Sequence, residues 1–186
     1  MANRNEQGFG LIAAGALGST PATSGQGKYK IDAGYGTTLF HGGAVASAAG
    51  YIVDGQTTDA PILGVLNGIF YNAATTLKPT FANHYVQVTP ANSEDIDAFV
   101  FDNPTQQYVV ATDDAVAQAG YLETYDMNTS AGSTTTGQSS ATLDIGDTSA
   151  DAASWRLLRS AEDPENDENA AFRSVVVVAN LIELQS

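Results

Sequence analysis

Within the body of this 186-residue chain only Asp113–Gly120 (DDAVAQAG) carries a helix signal, and it is long enough for two turns at most. Elsewhere the apolar residues fall in short runs, several of them alternating with polar ones. Glycine, proline, serine, threonine and asparagine separate the runs. Such a pattern suits a pleated surface with one face covered, and it offers a helix no continuous stripe to bury.

The strand expectations follow the chain. Lys28–Asp32 alternates, with Tyr29 and Ile31 on one side, and Tyr35–Phe40 and Tyr51–Val53 are short candidates between glycines. Ile62–Tyr71 is the strongest central apolar run. Its Asn67-Gly68 pair reads equally as a hairpin turn or as a bulge in one long strand. Tyr85–Thr89 alternates again. Ile96–Phe101 and Tyr108–Thr112 flank the turn sequence Asp102-Asn103-Pro104-Thr105 and are expected as an antiparallel pair. In the helical segment Asp113 or Asp114 would cap the start and Gly120 would stop it. Met127–Ser140 reads as an exposed loop, followed by strand candidates at Ala141–Ile145, Trp155–Leu158 and Phe172–Leu184. Val175–Val178 predicts a strand buried on both faces, with Trp155, Leu157 and Leu158 beside it. The acidic stretch Ser160–Asn169 would be a solvent loop. Together these give a mainly β fold: an antiparallel β-barrel or sandwich body with long loops, one short helix and an extended N-terminal arm. The body spans residues 28–186, with two β subdomains joined near residue 120 as an alternative.

Charge divides the chain unevenly. The first 50 residues hold 11 of the 18 glycines and only five charges, Arg4, Glu6, Lys28, Lys30 and Asp32, which sum to +1. With a formal net charge of −14, the rest of the chain carries −15. Met1–Gly27 reads as the arm, because six glycines and the Ser19–Ser24 stretch make helix or strand costly there. Phe9, Leu11, Ile12 and Leu17 are apolar in that setting and are the expected partner-binding residues, against a shell or a sister subunit. On this reading, deleting Met1–Gly27 leaves a folded body that no longer binds its partner.

Several function classes drop out. Nucleic acid is not an expected partner, since phosphate contacts need clustered Lys and Arg and no basic stripe exists. The chain has no cysteine, which removes disulfides, thiolate zinc sites and cysteine nucleophiles. No apolar run reaches the ~18 residues of a membrane span, so no membrane partner is expected. Phe9–Gly18 is apolar like a secretory signal but is interrupted by three glycines and preceded by Glu6. Gly10 and Gly15 have the glycine spacing of a phosphate loop, but Ala16 and Leu17 stand where Lys and Ser or Thr are required. His41 and His84 lack a serine in a nucleophile-elbow context. Asp95 and Asp97, on one face of a strand, could bind calcium or serve a glycosidase; so could the loop acids Glu162, Asp163, Glu165, Asp167 and Glu168 bind calcium. For both clusters a solvated acidic surface is the simpler reading. Tyr108, Tyr121 and Tyr125 could line a sugar-binding groove or be core. No catalytic, cofactor or metal residues are assigned.

Three stretches resemble capsid cement or decoration proteins of tailed bacteriophages. They are Pro61–Tyr71, Ala98–Thr112, and Gly137–Leu143 followed by Trp155–Ser160, the acidic loop and Phe172–Asn180. The resemblance implies a non-enzymatic β protein, often trimeric, that sits on the virion exterior and braces contacts between subunits of the major capsid protein. Such proteins commonly grip the shell with an N-terminal arm or loop. A head-fibre base, a tail component and a carbohydrate-binding module are the alternatives.

Overall fold

The computed structural model describes residues 3, 7–18, 25–56, 61–128, 132–146, 153–162, 164–167 and 169–185. The Ser19–Ser24 stretch of the expected arm and the loop acids Asp163 and Glu168 lie outside the described residues. The fold is mainly β, built of antiparallel ladders in a sandwich-like arrangement rather than a closed barrel.

Strand β1 is Ile12–Ala16. Next come β2 (Gly27–Ile31), β3 (Ala44–Ala48), β4 (Tyr51–Asp54), β5 (Gly64–Asn72), β6 (Pro79–Ala82) and β7 (Ile96–Phe101). The second half holds β8 (Gln106–Ala111), β9 (Thr124–Tyr125), β10 (Met127–Asn128), β11 (Thr142–Leu143), β12 (Trp155–Ser160) and β13 (Ser174–Ala179). One sheet runs β2-β7-β5-β3-β4, with β6 sharing the β3 edge of β5. The other runs β1-β8-β13-β12-β9, and β10 and β11 form a small third sheet.

Alternation explains why two layers form. On β3, Ala44 faces the core between the layers while Val45 faces a second cluster within the six-stranded sheet. On β5, Val65 joins the first core, and Leu66 and Ile69 join the second. The first core gathers Leu11, Tyr108, Trp155, Leu157, Val175 and Val177; Tyr108 meets Trp155 edge-on at 5.6 Å and 89°. Val175–Val178 is buried on both faces, as the valine run predicts. Each such side chain stabilises the fold by about 1.5–3 kcal/mol relative to exposure.

Four expectations are settled differently or more narrowly. Asn67 is a bulge: the β5–β7 register shifts between Leu66 and Gly68, and the strand continues through it. The turn at Asp102–Thr105 forms, with Asn103 Oδ1 accepting from the Thr105 backbone N–H at 3.0 Å. Its flanking strands do not pair, because β7 is taken on both edges by β2 and β5 and β8 by β1 and β13. The connection is therefore an arch between sheets. The helix at Asp113–Gly120 reduces to a single 3-10 turn at Gln118–Gly120. Asp113 does not cap it; its carboxylate accepts from the Ile145 N–H at 2.9 Å while its own N–H donates to the Leu143 carbonyl at 3.0 Å. Tyr35–Phe40 and Tyr85–Thr89 form no ladder beyond the isolated bridge Leu39–Tyr85.

Candidate functional site

The chain enters the body before β1 through a tight passage. Gly10 donates to the Ala141 carbonyl at 3.2 Å, Leu11 donates to the Gly42 carbonyl at 2.8 Å, and Gln138 Nε2 donates to the Phe9 carbonyl at 3.0 Å. Gly10 adopts φ +71°, and a Cβ there would stand 2.8 Å from the Gly42 oxygen. Only glycine fits both demands. Further upstream, Asn3 is buried and its Nδ2 donates to the Ala171 carbonyl at 2.9 Å. The expected arm is thus stitched to the body at residue 3 and again over residues 9–17.

Period-two alternation then separates the four apolar residues assigned to partner binding. Leu11 is 2% exposed and belongs to the core between the layers. Ile12, on the opposite face, is 46% exposed, and Leu17 is 37% exposed just past the strand. Phe9 is half-buried. The structure therefore leaves Ile12 and Leu17 facing outward and places Leu11 inside.

β1 ends its sheet. It pairs with β8 on one side, with a bulge between Ala13 and Gly15, and among the described residues no strand lies on its other side. Between Glu6 and Lys28 the chain carries no charge. Edge strands are ordinarily protected by lysine, proline or covering loops, because their open N–H and C=O groups template further pairing. The strand IAAGA has no lysine and no proline. A second apolar prominence lies on β6, where Phe81 is 74% exposed and packs on Phe70 at 4.7 Å, with Leu77 at 73% in the preceding turn.

The carboxylates proposed for chemistry are engaged elsewhere. Asp97 is bridged by Lys28 at 2.7 Å and Lys30 at 2.6 Å across the β2–β7 ladder. Burial would raise its carboxyl, but the two ammonium groups outweigh it and hold it below the ordinary carboxylate range. Asp95 accepts from the Tyr51 hydroxyl at 3.2 Å. Both acids, with Glu94, Lys30, Phe70 and Tyr71, line a cavity of about 290 Å³. Among the described residues no group of three His, Asp or Glu side chains is placed to hold a metal.

The tyrosines divide as well. Tyr108 and Tyr125 are core residues whose hydroxyls donate to the Phe101 carbonyl at 3.1 Å and the Gly120 carbonyl at 3.0 Å. Burial pushes both phenols up. Tyr121 stays partly exposed beneath Arg173. The histidines place Nδ1 against the Asn67 carbonyl at 3.0 Å and the Asn83 side chain at 2.9 Å, respectively for His41 and His84.

Sequence reasoning missed Asn3 and Asn166. Asn166 Nδ2 donates to the Ser174 carbonyl at 2.9 Å and its Oδ1 accepts from the Ser174 N–H at 3.0 Å, which braces the acidic loop against β13. Both are asparagines whose side chains mimic a backbone partner, and nothing in local spacing marks them. Compared with family models, with curated proteins and with solved structures, the chain matches none.

Proposed function

We propose that this chain is a non-enzymatic virion structural protein that decorates the outside of a tailed-phage capsid and stabilises contacts between major capsid subunits. The observation that carries this reading is the uncharged edge of β1, open among the described residues, with Ile12 and Leu17 turned outward in a chain of net charge −14. A bare edge of that composition gains from a strand or loop of a partner that completes its hydrogen bonding. The acidic remainder discourages particles from adhering to each other or to DNA. The three stretches that resemble cement proteins supply the capsid exterior as the location, and a trimer as the assembly. Many copies acting together on a lattice make weak individual contacts sufficient.

Recruitment to shells tests it. Purified shells lacking the protein should bind it saturably and withstand higher temperature once decorated. Shells that fail to bind it, and melt identically with and without it, would end the proposal. Binding at the tail in electron micrographs of labelled particles would instead select the tail-component reading.

A further inference from the structure

The described portion of this acidic chain has one concentration of arginine, along β12 and at the start of β13. Arg156 and Arg159 lie on the strand and Arg173 immediately precedes β13. Arg159 and Arg173 line a cavity of about 600 Å³ together with Gln118, Tyr121, Leu122 and Asn169. Among the described residues that line it there are two arginines and no acid, although the whole chain has 21 acids and seven bases. The volume lies within the range of small-molecule sites, about 300–1,000 Å³.

The cavity is held open by local structure. The β12–β13 register shifts between Leu157 and Arg159, so Leu158, Arg159 and Ser160 all reach the cavity wall. Bulges commonly re-aim side chains in this way. Arg173 is 2% exposed; its guanidinium lies over the Tyr121 ring at 5.5 Å and Nη1 donates to the Val116 carbonyl at 3.4 Å. Leu122 forms the rim in a left-handed conformation, φ +68°, with its side chain 62% exposed. Its carbonyl accepts from Arg156 Nη1 at 2.7 Å and its N–H donates to the Leu157 carbonyl at 2.8 Å. Phe172, next to Arg173, is left-handed too, at φ +57°. Non-glycine residues pay about 1–2 kcal/mol for that conformation, and such strain clusters at ligand sites.

We infer that this cavity binds a small organic carboxylate with a flat apolar body. Guanidinium groups match a carboxylate in pairs of parallel hydrogen bonds. Arg159 lines the cavity, is exposed and makes no ion pair among the described residues. Gln118, Ser160 and Asn169 offer further donors, while Tyr121, Leu122 and Leu158 supply the apolar wall. The apolar wall beside Arg159 favours a monoanion that carries an apolar group over inorganic phosphate.

Titration of the full chain, followed by backbone amide NMR, tests this with phenylacetate, phenylacetamide and inorganic phosphate. Phenylacetate should shift amides in residues 116–122, 158–160 and 169–173. It should bind roughly tenfold or more tightly than either phenylacetamide or phosphate. Arg159→Gln should lose a similar factor, while Lys78→Gln, on an exposed turn, should not. Equal affinity for phenylacetate and its amide, shifts confined to other residues, or no shifts at about 10 mM phenylacetate would overturn the site. The same shifts produced more strongly by phosphate would overturn the ligand class. Arg159 is exposed, so its replacement keeps the fold and leaves the result interpretable.

Discussion

Leu11 donates its backbone N–H to the Gly42 carbonyl at 2.8 Å, and its side chain enters the core between the layers. That pairing makes the segment before β1 part of the body's own packing. Replacing Leu11 with Ala should cost about 2–5 kcal/mol through lost burial and the cavity left behind. Ile12→Ala, one residue on but outward-facing, should cost under about 1 kcal/mol. Urea denaturation of the two variants reads the contrast. By the same argument, deletion of Met1–Gly27 removes a core leucine and bares β8, so the product should be markedly less stable than the whole chain.

Glycine requirements differ along the same segment. Gly10 and Gly18 share φ +71°, but a Cβ at Gly10 would meet the Gly42 oxygen at 2.8 Å, whereas at Gly18 it meets nothing within 4 Å. Gly18→Ala should cost about 1 kcal/mol from the left-handed backbone alone. Gly10→Ala should cost about 2 kcal/mol or more, since a backbone atom must also yield. Thermal melts of both variants measure the difference.

Asp97 gives the fold an acid-sensitive component. Its folded carboxyl lies below the ordinary value because Lys28 and Lys30 outweigh its burial. The stabilisation is present above the unfolded carboxylate pKa, about 3.9, and is lost as pH falls through the lower folded value. Asp97→Asn should cost about 1–2 kcal/mol at pH 7, toward the low end for a charged hydrogen bond because both lysines are half exposed. The gap between wild type and variant should narrow as pH falls below the ordinary carboxylate value, in denaturation curves taken at a series of pH values.

Local physics was visible before the structure. Four consecutive valines could only suit a strand covered on both sides, and Val175–Val178 is one. Asp102-Asn103-Pro104-Thr105 makes its turn because Asn103 bonds its own neighbourhood. Partner choice was not visible. Whether Ile96–Phe101 pairs with Gln106–Ala111 or leaves for another sheet depends on distant strands competing for each edge. The fate of Asp113 depended on Ile145, 32 residues away.

The site residues show the same limit. Alternation separates Leu11 from Ile12 but cannot say which of the two faces inward until a second layer exists to cover one side. Arg173 in an apolar neighbourhood gave no hint of a cavity, because Tyr121 and Arg159 reach it from other parts of the chain.

Hydrogen–deuterium exchange on the protein, free and bound to capsid shells, tests the central claim most directly. Amides within Ile12–Ala16 on the open side of β1 should exchange quickly in the free protein and become strongly protected on shells. Strong protection elsewhere on the body, with β1 exchanging as it does in the free protein, would contradict it.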